Sequence, residues 1–441
     1  MKKKDVLELA IESLIPQWKK ERDRQIVFRD WAKGKHVPPY KPDEASDEYD
    51  ALLAKSPVPL IGLVVRILGQ STELIDYSPG IETNHDLLWN IWQVNRMGMR
   101  QKRLYRAAFT GGVSYALVLP GEPVPVTKLF SGKNMITVYQ DPEADEWPMY
   151  GAYTEYADRT HRHFNVVDEG VTYRLQIGPD GEEPTYMDEV AHGAGITPII
   201  RWTGEVDDEG EVTGEVEPLI PIQASVDQSK LDLLMAQTFS SWQIRYITGM
   251  EAPATDAEAA KKKLMLSQDR LLIAENPEAR MGTLPGGDLS GYIEAGRASK
   301  QDLASVAQIS QKAIVGSQSN NADGAEAQAA EEASTQRKVH DYEGSFNEST
   351  GQYFRLSGSL AGIPGAWDDY AGTGVWRDSE IRSLSQVADA LGKLASQLGI
   401  PKEGLWDMIP SVSPERIKAW KEMLAKDPYG LMLEAASDGD A

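Results

Sequence analysis

The chain has 441 residues, 41% of them hydrophobic and 25% charged, with a formal net charge of −22 and no cysteine. That length is too great for one small core, so two or more substructures are expected. The lack of cysteine excludes disulfides, thiolate zinc sites and cysteine nucleophiles, and the acidic balance argues against a protein that grips DNA by its phosphates. Two relations to nucleic acid remain: the protein ignores it, or passes it without holding it, since an acidic wall repels phosphate.

The N-terminal Met1-Lys2-Lys3-Lys4 runs straight into Asp5, Glu8 and Glu12 and lacks the apolar core of a signal peptide. No window approaches the roughly 18 uninterrupted apolar residues of a membrane span. Residues 6–32 read as an amphipathic helix interrupted near Pro16, with Trp18, Ile26, Phe28 and Trp31 as anchors. The Lys19 to Arg24 charge run is a solvated face, and 36–47 is a Pro-rich loop. The apolar run 60–68 fits either a buried helix or a strand. Residues 86–110 read as one helix, with Leu87, Leu88, Ile91, Val94, Leu104, Ala108 and Phe109 on its apolar side. Its Arg96, Arg100, Lys102, Arg103 and Arg106 form an exposed basic face balancing acidic neighbours, in preference to a DNA patch.

After Gly111-Gly112 the period changes to that of strands, expected at 113–119, 135–139, 149–156, 161–167 and 171–177, with another at 197–202. Asp-Pro and Gly-Pro-Asp-Gly turn signals separate them, so this is an antiparallel sheet region. The acidic 205–215 reads as a loop. From Glu217 the helical period returns. Leu219, Ile222, Val226, Leu233 and Ala236 make one stripe of a helix ending near Trp242. A strand at 244–249, a helix at 257–265 and a strand at 269–274 then form a small insert. A second long helix is expected over 288–314, striped by Leu289, Ile293, Gly296, Leu303, Ala307 and Ile314. Since the insert begins and ends between these two helices, they must be neighbours.

Gly316-Ser317-Gln318-Ser319-Asn320-Asn321 has no apolar residue and reads as a turn. Another helix starts at Asp323, with Glu326 three residues on as an Asp version of the capping box. Its first half, 325–333, is alanine-rich. Its second half carries Val339, Tyr342, Phe346, Tyr353 and Phe354, the marks of a core anchor. Read alone, this is a surface helical hairpin of an ordinary globular protein.

Catalytic motifs are not found. Ser131-Gly132-Lys133-Asn134 lacks P-loop spacing and hydroxyl, Gly112-Val113-Ser114-Tyr115-Ala116 fails as a nucleophile elbow, and there is no H-E-x-x-H. Gly193-Ala194-Gly195 is a turn more readily than a dinucleotide loop. His161 and His163 share a strand face without a placed third ligand, and Asp207-Asp208-Glu209 lacks calcium-loop spacing. No enzyme activity, cofactor or metal is expected.

The order of parts resembles the portal proteins of tailed double-stranded-DNA bacteriophages, in the long-tailed branch. The stretches that carry the resemblance are Glu217-Pro218-Leu219-Ile220-Pro221 leading to Leu231-Asp232-Leu233-Leu234-Met235-Ala236-Gln237, then Arg245-Tyr246-Ile247-Thr248-Gly249, then the break at 316–324. The resemblance implies an α+β chain of portal type, with a mixed α/β wing at 1–216. Stem helices would lie at 217–242 and 288–315, a clip at 243–287 and a tunnel loop at 316–323. A return helix and strand would span 324–376, and crown or wing helices with an acidic tail 377–441. It implies channel-facing Lys312, Gly316, Ser317, Gln318, Ser319, Asn320, Asn321 and Asp323. It also implies a ring of twelve, roughly 580 kDa at 48.6 kDa per chain. The implied partners are the terminase, major capsid and scaffolding proteins, head-completion or adaptor proteins, and DNA passing non-specifically, with no membrane. The implied location is the virion, with host cytoplasm during assembly. The readings set against it are a metal-dependent nuclease or other α+β hydrolase with carboxylates spread through 141–217, and a minor capsid or adaptor protein.

Overall fold

The computed structural model describes residues 1–36, 39, 47–142, 144–156, 158, 161–206, 210–241, 245–248, 280–283, 288–316, 325–377, 384–409, 412 and 414–425. In chain order the elements begin with α1 (Lys3–Leu9), α2 (Ile15–Ala32), α3 (Asp47–Leu53), α4 (Leu60–Ser71), β1 (Leu74–Ser78), α5 (His85–Val94) and α6 (Met97–Gly111). Then come β2 (Val113–Leu119), β3 (Val126–Ser131), β4 (Met135–Val138), β5 (Tyr150–Tyr156), β6 (Arg162–Val167), β7 (Val171–Ile177), β8 (Thr185–Ala191), β9 (Ile199–Thr203), β10 (Glu205–Val206) and β11 (Val212–Thr213). The rest are α7 (Val216–Ser241), β12 (Arg245–Thr248), β13 (Arg280–Thr283), α8 (Ser290–Val306), α9 (Gln311–Val315), α10 (Ala325–Leu360), β14 (Thr373–Trp376), α11 (Leu384–Leu398) and α12 (Pro414–Ala425). The chain is α+β, as expected, and no described helix is long and apolar enough to cross a membrane.

Two units can be drawn. One holds Met1–His36, Pro59–Gln223 and Gln301–Ala441; the other holds Val37–Val58 and Ala224–Lys300. The division falls inside α7 and inside α8, so both helices belong to both units.

In the first unit a π-helical turn, Ala10–Leu14, joins α1 to α2 directly before Pro16. Proline has no N–H to donate and its ring crowds the carbonyl four residues back, so a widened turn lets the helix continue. Val6, Ala10, Leu14 and Trp18 recur every four residues and bury one face against Phe164, Val166, Leu175 and Ile177 of an antiparallel sheet ordered β4-β5-β6-β7-β8. Trp18 sits edge-on to Phe164 at 5.8 Å and its indole N–H donates to the Lys133 carbonyl at 3.1 Å. A second antiparallel sheet, β3-β2-β9, has β2 buried along nearly all its length, and β1 pairs with β14 from the far end of the chain.

The 36-residue α10 supplies the aromatic anchors. Tyr342 meets Phe109 edge-on at 4.7 Å, Phe346 stacks on Tyr105 at 5.0 Å, Tyr353 meets Trp92 edge-on at 5.5 Å, and Phe354 stacks on Tyr77 at 4.0 Å. The edge-to-face pairs among these are a geometry that ring quadrupoles favour.

Several expectations need correction. The single helix at 86–110 is two helices, α5 and α6. Asn95 turns its amide to the Ile91 and Pro125 carbonyls and accepts from the Thr127 N–H, while Arg96 takes a left-handed φ of 54°. The helix at 288–314 stops at Val306. Among the strands that were not expected are β1, β3 and β8. β8 leaves most of its residues exposed and shows no apolar alternation, β3 follows the Pro- and Gly-containing 120–125, and β1 is only five residues long. The ambiguous run at 60–68 is helix α4, whose first amides, Leu60 and Ile61, donate to Gln223 Oε1 at 3.1 and 3.2 Å. The acidic 205–215 loop contains a short hairpin, β10 with β11.

The second unit holds α3, the later part of α7, the β12–β13 pair and the first part of α8. The Ser229 and Ser299 hydroxyls lie 3.5 Å apart, so the two long helices meet here, neighbours as expected. A Cβ added at Gly296 would stand only 3.8 Å from that of Ser229. In the insert, β12 pairs with Arg280–Thr283; the helix at 257–265 and the strand at 269–274 lie outside the described residues.

Candidate functional site

The expected channel segment is described up to its base. The helix α8 ends in a Schellman turn: Gln308 adopts a left-handed φ of 55°, its N–H donates to the Ser305 carbonyl, and the Ile309 N–H donates to the Ala304 carbonyl at 3.0 Å. This turn closes the helix eight residues before its sequence expectation. Ala304, Ala307 and Ile309 are buried beneath it. Ser310 then starts the short α9, and its N–H donates to Thr335 Oγ1 at 3.0 Å. Lys312 does not stand free: its ammonium lies 3.9 Å from Glu331. Gly316 closes the described part with φ 89° and ψ 159°, a backbone region open essentially to glycine alone. Ser317, Gln318, Ser319, Asn320, Asn321 and Asp323, with the capping box at Asp323, lie outside the described residues.

One residue organises this base and was not read from the sequence. Glu215, just before α7, is only 5% exposed. Its Oε2 accepts from Lys338 Nζ at 2.6 Å and its Oε1 from the Tyr342 hydroxyl at 2.6 Å, while its own N–H donates to the Phe109 carbonyl at 2.8 Å. Lys338 also donates to the Ala307 carbonyl at 3.1 Å, placing a cation on an open carbonyl at the C-terminus of α8. Gly204 faces the Tyr342 ring so closely that a Cβ there would come within 2.5 Å of it. On α10 the residues that make these contacts are Glu331, Thr335, Lys338 and Tyr342. Their spacing of four, three and four puts them on one face. That spacing is a signal the sequence does carry, although a mixed polar stripe ending in an aromatic reads first as a solvated face.

The same face of α10 borders a cleft of about 1010 Å³, lined among others by Tyr139, Arg201, Asp341, Arg355 and Tyr370. Arg355 pairs with Glu146 and lies 3.9 Å over the Tyr370 ring. Burial pushes the Tyr353 hydroxyl up to about 12, so it stays neutral while bonding Thr127 at 3.1 Å. Of the basic face on α6, Arg100 donates to the Asn95 and Thr127 carbonyls, and Lys102 pairs with Glu73 at 3.4 Å. His161 is bonded to Asp158, and His163 stands opposite Glu155 and Gln176 in the sheet register. Among the described residues no three His, Asp or Glu side chains converge as a metal cluster.

A mixed α/β body with two long helices running on into a second unit, then a short helix and a very long return helix, is an architecture of portal type. A family model described as "Phage portal protein, SPP1 Gp6-like" matches residues 11–428, and the chain belongs to this family of structural proteins. No curated protein sequence matches it significantly. Among solved structures, a chain of the "Virion of native gene transfer agent (GTA) particle" is 11% identical. The match covers 86% of this chain and 94% of that one, with a TM-score of 0.47. A chain of the "Neck of native GTA particle computed with C12 symmetry" is 11% identical over 82% and 92%, with a TM-score of 0.48. At these scores neither likeness supports anything further.

Proposed function

We propose that copies of this chain close into a ring, of twelve subunits by family resemblance, whose central hole is the DNA channel of a capsid vertex. The ring serves packaging, ejection and head–tail attachment. The observation that carries this reading is the base of the 316–323 segment, where the end of α8 and the start of α9 are tied by side-chain bonds to residues 331–342 of α10. A polar segment sprung from so fixed a base suits a channel constriction. Ser, Gln and Asn there meet phosphates through single or water-bridged hydrogen bonds without a charge anchor.

In this reading 1–216 and 324–376 form the wing, 217–242 and 288–315 the stem, 243–287 the clip that docks head-completion proteins, and 377–441 wing or crown. Tyr292 and Ile293 on α8 are 45% and 55% exposed. Large apolar side chains on a stem helix are the kind of surface that a neighbouring copy covers in a heterologous, closing contact. The partners are a separate packaging ATPase, the capsid and scaffolding proteins and the adaptors, in the virion and, before that, in the host cytoplasm. Negative-stain images of purified protein are expected to show rings with a central hole. Monomers alone, across a wide range of concentration and salt, would refute the reading.

A further inference from the structure

We propose that Glu215 is the positioning residue through which the two stem helices hold the base of the channel segment, a role that rests on the channel reading above. The contacts form one connected set. Glu215 stands at the start of α7. Through Lys338 it is bonded to the Ala307 carbonyl at the end of α8, and through Tyr342 to the middle of α10. The stripe continues toward the channel segment: Thr335 takes the Ser310 N–H at 3.0 Å, and Glu331 faces Lys312 at 3.9 Å. So a single face of α10 grips 215, 307, 310 and 312 in turn, and Gly316 follows four residues later.

The placement along the chain gives the set its meaning. The division between the two units falls at Gln223/Ala224 in α7 and at Lys300/Gln301 in α8. Glu215 and Ala307 therefore lie about two helical turns from that division on their respective helices. Within the first unit, the start of α7 and the end of α8 are thus tied to the same buried carboxylate and its ammonium. Of this pair, Lys338 lies on α10, the helix that follows the channel segment.

The chemistry fits a positioning role better than a merely stabilising one. A buried ion pair can often be replaced by a neutral pair of like shape with little loss of stability, whereas removing one partner strands the other. What the charged pair adds is geometry: two carboxylate oxygens and an ammonium fix three segments at once. Glu215 is also the member that directly precedes α7 in the chain.

The test uses full-length rings in a DNA-packaging assay with the cognate ATPase and capsids. Hydrogen exchange is read across 307–316, where the amides of Gln308, Ile309, Ser310 and Gly316 are all bonded. The main variant is Glu215→Gln with Lys338→Met, a neutral pair of similar shape. It is expected to form rings that melt within a few degrees of the parent, to exchange faster across 307–316, and to package roughly tenfold more slowly, the factor that loss of one or two oriented bonds gives. Lys338→Arg, which retains the charge and the donors, should restore packaging to within about threefold of the parent. Parental exchange and packaging in the neutral-pair rings would overturn the proposal. Should that variant fail to assemble, Tyr342→Phe decides, because it deletes one oxygen and leaves the ring in place. It must quicken exchange across 307–316 and slow packaging about two- to threefold; unchanged exchange overturns the proposal. If parental rings themselves package nothing, it is the channel reading that fails, not the role of Glu215 within the fold.

Discussion

Replacing Phe346 by alanine tests whether the aromatic half of α10 anchors the first unit. Phe346 is fully buried, with ring centres of Tyr105 at 5.0 Å, Phe109 at 5.6 Å and Tyr342 at 5.7 Å. Phe-to-Ala changes in cores cost about 3–5 kcal/mol, the spread reflecting how far the site collapses. Here collapse is resisted. Tyr105 and Phe109 are themselves buried on α6, and Tyr342 is pinned by its bond to Glu215. The expected loss is therefore at the upper end, about 4–5 kcal/mol, of which roughly 1–2 is the lost ring–ring geometry. Phe346→Leu fills most of the volume and should lose only about 1–2 kcal/mol, the ring-specific part. Urea unfolding of the two variants beside the parent, followed by tryptophan fluorescence, measures both numbers. A loss below about 1.5 kcal/mol for alanine, or equal losses for alanine and leucine, would refute the anchoring argument.

Gly316→Ala should destabilise the end of α9 by about 1–3 kcal/mol, because its φ of 89° strains any L side chain although the space around it is open. Gly344→Ala, inside α10 with equally open space and no positive φ, should instead raise stability by about 0.5–1 kcal/mol, so thermal melts of the pair must move in opposite directions. Burial opposes the charge on His85, but hydrogen bonds to Asp76 at 2.8 Å and Asp86 at 3.0 Å outweigh it and raise its pKa above 6.5. Its contribution is complete below pH 6.5 and is lost as pH rises through the raised value. His85→Gln should therefore flatten the melting-temperature profile above pH 6.5. Replacing Gln318, Asn320 and Asn321 by lysine adds about thirty-six charges to a twelve-fold ring, so procapsids should form normally while packaging slows and recovers in part with added salt. Packaging at the parental rate would place 316–323 away from DNA.

What could be read from the sequence was whatever a local period reports. Phe346 and its companions recur at helical spacing because one face of α10 is buried from Thr335 to Ser357, and β7 and β2 kept their predicted bounds because their residues meet a core. The two misplaced helix ends share a different cause: the deciding contact came from far along the chain. Gln308 is an ordinary helix former, and nothing near it says stop. The turn forms where Ala304 and Ile309 are buried and Lys338, thirty-one residues on, takes the Ala307 carbonyl. Arg96 breaks a helix because Asn95 is held by Pro125 and Thr127. In each case tertiary bonds overrode local propensity. Charge is harder still to read. Sixty-seven acidic residues give the chain its sign, but composition cannot say which of them are buried. Glu215, Asp227 and Asp369 are 5%, 1% and 7% exposed, and each is met by donors from another segment: Lys338 and Tyr342, the Val58 N–H, and the Gly80 N–H. A carboxylate can be buried only where such donors are already placed, so its site is a property of the assembled fold. That is why Glu215, at the end of an acidic stretch read as loop, was invisible until α10 was laid against it. The carboxylates that tie distant segments together are, for the same reason, the least marked in the sequence.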